Sequence, residues 1–185
     1  MKSDVVRISS GGSGIEEALE LSDRVAGFAG LDRKSAIRLR LMAEEMTGMF
    51  MAIVGEQEAD FWIEKDGEKF ELHLLTTTEL DSEQRAKLIA ASTSKRNETT
   101  GFMSKLRSVF EAAVTSMNSG YSEAVNLGLV ESSGGFTEWT LSQYKAEAEK
   151  EQWDELEQSV VAQLADEIRV KIVGLNVEMI IDKTF

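Results

Sequence analysis

Residues 32–75 read DRKSAIRLRLMAEEMTGMFMAIVGEQEADFWIEKDGEKFELHLL, and the hydrophobic period of this stretch changes once. Its first part has apolar residues at Leu39, Met42, Ala43, Met46, Met49, Phe50 and Ile53, a spacing that forms one stripe of an α-helix. Asp32 supplies an N-cap for this helix and Gly55 a stop. The second part has a period of two. Ala59–Glu64 and Lys69–Leu75 flank Lys65-Asp66-Gly67-Glu68, and Asp-Gly between two β-prone runs predicts a hairpin. Phe70, Leu72 and Leu74 alternate with Glu71 and His73, so one face of that strand is expected to be buried and the other to carry the Glu–His pair.

Upstream, Asp4–Ile8 reads as a short strand, and Gly11, Gly12 and Gly14 mark a turn. Ser13 is the expected N-cap of a first helix, with Glu16 and Glu17 in its first turn, running through Ala18, Leu19, Leu21, Val25 and Ala26 to Gly30. Downstream, the spacing predicts helices over Asp81–Ala91 and Phe102–Met117, separated by a polar loop over Ser92–Gly101. The Gly/Ser-rich stretch Asn118–Thr140 is expected to be looped, and the charged segment Leu141–Glu151 to be either a solvated helix or partly mobile. Leu156, Val160, Val161 and Leu164 then form a helical stripe, and Asp166–Val173 and Asn176–Ile181 alternate as strands around Gly174. The order is β, α, α, β, β, an inserted helical region at about 77–152, α, β, β. It predicts an α+β fold, a two-layer sandwich of one mixed, mostly antiparallel sheet with helices on one face, in a single domain over residues 1–185.

Composition bounds the function classes. At 185 residues, 42% hydrophobic and 29% charged, the chain is long enough for one core and too apolar for disorder. A net charge of −13 repels phosphate backbones and anionic headgroups, so neither nucleic acid nor a membrane surface is the expected partner. No cysteine is present, which excludes disulfides, thiolate catalysis and Cys-based metal sites. No apolar run approaches the ~20 residues that span a bilayer, and the expected location is cytoplasmic.

Two stretches carry a resemblance to a known family: Arg38–Phe50 (RLRLMAEEMTGMF) with the hairpin after it, and Ser159–Ile181 (SVVAQLADEIRVKIVGLNVEMII). In order and pattern, over about half of the chain, they resemble the histidine-kinase-like ATP-binding fold shared by gyrase, heat-shock chaperones, histidine kinases and MutL. The anti-sigma-factor serine kinases are the nearest in pattern. The resemblance implies a Glu acting as general base and an Asn one turn later binding magnesium; here these positions are Glu45 and Met49, and a thioether is a poor ligand for a hard cation. On the helical wheel Glu45 and Met49 share one flank of the apolar stripe, as a pocket-lining pair would. The family's Asp-x-Gly-x-Gly adenine motif falls on Thr76-Thr77-Thr78-Glu79-Leu80, which lacks both acid and glycines; Thr76 and Thr78 are what remains of that wall. A glycine-rich phosphate lid has counterparts at Gly128 and Gly134-Gly135, which read more simply as turn glycines. The long insert stands where relatives carry a short lid, which implies a filled pocket.

His73 is the only histidine, and without cysteine only carboxylates could join it, so no metal centre is expected and the residue reads as structural. Met42, Met46, Met49 and Met51 read as core, and Trp139 and Trp153 as pins for the charged segment between them. These readings converge on a non-catalytic regulatory or protein-binding module built on a degenerate ATPase scaffold. Its expected partner is a protein, of the kind the resemblance implies: a sigma-like factor or an antagonist regulator, with a homodimer as the alternative. No cofactor is expected. The competing reading is a divergent ATP-binding serine kinase or ATPase, with Glu45 as base and ATP and Mg2+ as cofactors; a small-molecule sensor is a third.

Overall fold

The computed structural model describes residues 1–9, 11–54, 58–77, 131–133, 136–140, 142, 160–173 and 176–185. The described elements are β1 (Val6–Ser9), α1 (Ile15–Phe28), α2 (Arg33–Val54), β2 (Glu58–Asp66), β3 (Lys69–Thr77), β4 (Glu131–Ser133), β5 (Phe136–Thr140), α3 (Val160–Leu164), β6 (Glu167–Val173) and β7 (Asn176–Thr184). The strands form one sheet in the order β1-β2-β3-β7-β6-β5-β4, and every neighbouring pair is antiparallel. The fold is an α+β sandwich with helices on one face of the sheet, as the element order predicts.

The helices form where local chemistry starts and stops them. Asp32 caps α2 through its Oδ1, which accepts from the backbone amides of Lys34 at 2.7 Å and Ser35 at 3.0 Å. α1 begins differently from the sequence expectation: Gly14, not Ser13, holds the N-cap position, in the left-handed region at φ 79° and with no side-chain cap. A Cβ at Gly14 would stand 2.1 Å from the Arg7 carbonyl oxygen, so helix and strand meet there only through a glycine. α1 ends in a Schellman pair: Leu31 donates to Ala26 O at 3.0 Å and Gly30, at φ 70°, to Gly27 O at 3.2 Å.

Burial follows the two periods. Ala18, Leu19, Leu21, Val25 and Ala26 of α1 and Leu39, Met42, Ala43, Met46, Met49 and Phe50 of α2 form one core with alternate residues of the sheet, among them Phe61, Ile63, Leu72, Leu74, Met179 and Ile181. Val161 and Ala165 bring α3 and its C-terminal end into the same core. The hairpin β2–β3 pairs Asp66 with Lys69, so Gly67-Glu68 is its two-residue connection and Gly67 takes φ 57°. The closing hairpin β6–β7 joins the same sheet, because β7 pairs with β3 along its length from Lys69↔Thr184 to Thr77↔Asn176.

A second expectation is also corrected. Within the stretch expected to be looped, Glu131–Ser133 and Phe136–Thr140 are paired strands, and β5 extends the sheet from β6 through Thr137↔Ile172 to Thr140↔Arg169. The Gly-Gly dipeptide lies between the paired residues Ser133 and Phe136, a hairpin spacing that composition alone masks. The helices expected over Asp81–Ala91 and Phe102–Met117, the loop between them, Gly128, Trp153 and, apart from Ser142, the charged segment lie outside the described residues. Among the described residues no helix is long and apolar enough to cross a membrane.

Candidate functional site

Of the residues expected to line a degenerate nucleotide cleft, Met49 and Thr76 are buried. Met49 is 3% exposed and belongs to the core cluster. Thr76 is 1% exposed, and its hydroxyl donates to the Glu58 carbonyl at 2.9 Å, tying β3 to the start of β2. Glu45, one helical turn before Met49, is half-buried. Thr78 lies outside the described residues; its neighbour Thr77 is exposed and donates to Asn176 Oδ1 at 2.9 Å.

A second, denser group of polar side chains lies on the face of the sheet that does not hold the helices. Strand alternation sends Trp62, Glu64, Glu71, His73, Glu178, Ile180, Asp182 and Arg169 there, and register lines them up across four strands. Trp62 pairs with His73, His73 with Ile180, and Ile180 with Arg169; in the next row Glu64 pairs with Glu71 and Glu71 with Asp182. The His73 ring stacks on Trp62 with centroids 4.7 Å apart and planes 6° from parallel. Lys2 sits 4.4 Å above the Trp62 ring and 3.1 Å from Glu64 Oε1.

The charges in this group are organised. Glu71 Oε1 receives Lys69 at 2.7 Å and Arg169 at 2.8 Å, and Arg169 also grips both oxygens of Asp182, at 2.8 and 2.9 Å. The hydrogen bond from Lys69, with Arg169 beside it, holds the Glu71 carboxyl down to about 2. The Trp62 indole, donating to Glu64 Oε1 at 2.9 Å, together with Lys2 keeps Glu64 below the ordinary carboxylate range. The His73 hydrogen bond does the same for Glu178. Glu64, Glu71 and Glu178 are therefore each shifted toward the ionised form.

His73 is 7% exposed, and its two ring nitrogens have different surroundings. Nδ1 is 2.9 Å from Glu178 Oε1. Nε2 is buried with no hydrogen-bond partner, and Glu71 Oε2 is 3.8 Å away, beyond hydrogen-bonding distance. Ligand-capable atoms of Glu64, Glu71 and His73 lie within 4.8 Å of one another. A surface hollow of about 290 Å³ opens beside them, lined by Lys2, Glu64, Lys65, Asp66, Lys69 and Glu71. Sequence alternation places His73 and Glu71 on one face, and so they are. Glu64 escapes the sequence reading, although it follows from the hairpin register once Gly67-Glu68 is known as the loop. Glu178, Asp182 and Arg169 carry no local signal, since they arrive from strands about a hundred residues away in sequence.

Comparison of the chain with protein-family profiles, with curated proteins and with solved structures finds no match.

Proposed function

We propose that this protein is a non-catalytic regulatory module that binds another protein through its first two helices, on a scaffold that resembles an ATPase domain with a degenerate nucleotide site. The observation that carries the reading is an apolar, cationic surface on the helix layer. Phe28 at the end of α1 is 80% exposed, and Ile37 and Leu41, one turn apart on α2, are 50% and 37% exposed. Arg33, Lys34 and Arg38 lie around them in sequence and form no ion pair among the described residues, whereas the next arginine, Arg40, is held by Asp23 and Glu16 of α1. In a chain of net charge −13, three cations without an ion-pair partner among the described residues, beside exposed aliphatic side chains, suit an acidic protein segment with an apolar anchor. The burial of Met49 and the hydrogen bond made by Thr76 support a scaffold that does not use a nucleotide.

Affinity capture with the full chain tests this reading. An acidic protein is expected to bind the parent and to be lost from the Ile37→Asp/Leu41→Asp variant, whose circular dichroism stays unchanged. Capture that survives the double substitution, or a chain that is monomeric by light scattering and captures nothing, overturns it. Melting with ATP and Mg2+ separates the competing reading. A ligand present at a thousand times its Kd stabilises by about 4 kcal/mol, so a micromolar nucleotide site would raise Tm clearly at millimolar ATP. No rise is expected; a rise abolished by Glu45→Ala makes the protein a divergent ATPase or kinase instead.

A further inference from the structure

We propose that Glu64, Glu71 and His73 form a divalent-cation site of the zinc type on the open face of the sheet. Three features of the geometry support it, independently of the helix-layer surface. First, the donors converge: one nitrogen and two carboxylates from the paired strands β2 and β3 lie within 4.8 Å of one another. Atoms bound tetrahedrally to one Zn2+ at about 2.0–2.2 Å stand about 3.3–3.6 Å apart, so closure from 4.8 Å requires a movement on the order of 1–1.5 Å, shared between two glutamate side chains.

Second, each donor has one atom anchored and one spare. Glu64 Oε1 accepts from Trp62 and pairs with Lys2, and Glu71 Oε1 takes Lys69 and Arg169; the Oε2 atom of each is left. His73 Nδ1 is bound to Glu178, which orients the ring and, with the proton on Nδ1, leaves a lone pair on Nε2 facing Glu71. A carboxylate behind a histidine is the usual outer support of a metal-bound imidazole. Third, His73 Nε2 is buried and lacks any hydrogen-bond partner. A buried ring nitrogen left unsatisfied costs free energy that a metal ion would recover.

Charge and access are compatible with this site. Glu64, Glu71, Glu178 and Asp182 face Lys2, Lys69 and Arg169, and Lys171 stands opposite Glu178 in register, so four carboxylates meet four cations before any ion binds. The hollow beside Glu64 and Glu71 gives an entry path to their carboxylates. One neutral imidazole with two carboxylates suits Zn2+ over Mg2+ or Ca2+, which prefer all-oxygen shells. The competing account is an imidazolium ion-paired to Glu178 and Glu71, with no metal.

The single histidine makes the test direct. Zn2+ is titrated into metal-free full-length protein while the one set of imidazole resonances is followed by NMR, with calorimetry in parallel and Mg2+ as the control. The expected result is one Zn2+ per chain, saturation of a shift at His73 Nε2, and no response to Mg2+. His73→Ala is expected to weaken Zn2+ binding at least 100-fold. Glu178→Gln, which touches only the support, and Glu64→Gln, which keeps an oxygen for the Trp62 indole, are each expected to weaken it about 10- to 100-fold. Circular dichroism of the two glutamine variants checks that the fold persists. Imidazole resonances unmoved by millimolar Zn2+, an imidazolium that persists at neutral pH in its presence, or equal affinity in His73→Ala would each overturn the proposal.

Discussion

At the scale of single residues, the outer face of the sheet shows how burial and pairing set protonation. Glu71 lies between Lys69 and Arg169, and its carboxyl is held down to about 2 from an ordinary value of 4.5. A depressed carboxylate contributes stability that is fully present above its unfolded pKa and lost as pH falls through the folded one. Folding stability is therefore expected to decline as pH drops from about 4.5 to about 2, with Glu64, Glu178 and Asp166, all lowered, adding to the same slope. Urea midpoints measured across that window check this, and Glu71→Gln should flatten the decline; an unaltered slope in the variant would assign the acid sensitivity elsewhere. The sequence shows that Glu71 and His73 share a face, but not that Arg169 reaches Glu71 or that Glu178 holds His73. Those partners are unrelated in local spacing, and only strand register unites them.

Elements were legible wherever a local device defines them. The helical stripe of α2, its Asp32 cap and the Asp-Gly hairpin depend on residues within a few positions of each other, and each stands where the spacing puts it. The start of α1 was not legible, because the requirement at Gly14 is tertiary: the carbonyl it must clear belongs to Arg7 in β1. Gly14→Ala is expected to cost about 3 kcal/mol or more, since it combines left-handed backbone strain with a clash against main-chain atoms. Gly67→Ala, also at positive φ but with open space around the added Cβ, should cost only about 1 kcal/mol. Chemical unfolding of the two variants side by side measures the difference; equal losses would mean that strand and helix separate easily at that junction. The β4–β5 pair was misread because its Gly/Ser-rich composition resembles a loop, and pairing with β6 supplies the order that composition does not.

For the whole molecule, the decisive contact is between β3 and β7, which joins the early hairpin to the closing one and puts both into one sheet over one core. Central strands flanked on both sides should open only with global unfolding. Backbone amides of Leu72, Leu74, Met179 and Ile181 are accordingly expected to be among the slowest to exchange with deuterium, and those of the edge strand β1 to exchange earlier. Faster exchange in β3 and β7 than in β1 would contradict this sheet order. The sequence by itself determined α1 and α2, the two hairpins β2–β3 and β6–β7, the α+β class and the face of β3 that carries His73, because hydrophobic period, caps and turn residues act over a few positions. Only the tertiary structure decided which strands are neighbours, and so which side chains share a site. His73 meets Glu178 across 105 residues of chain, and sheet register, not local propensity, sets that distance.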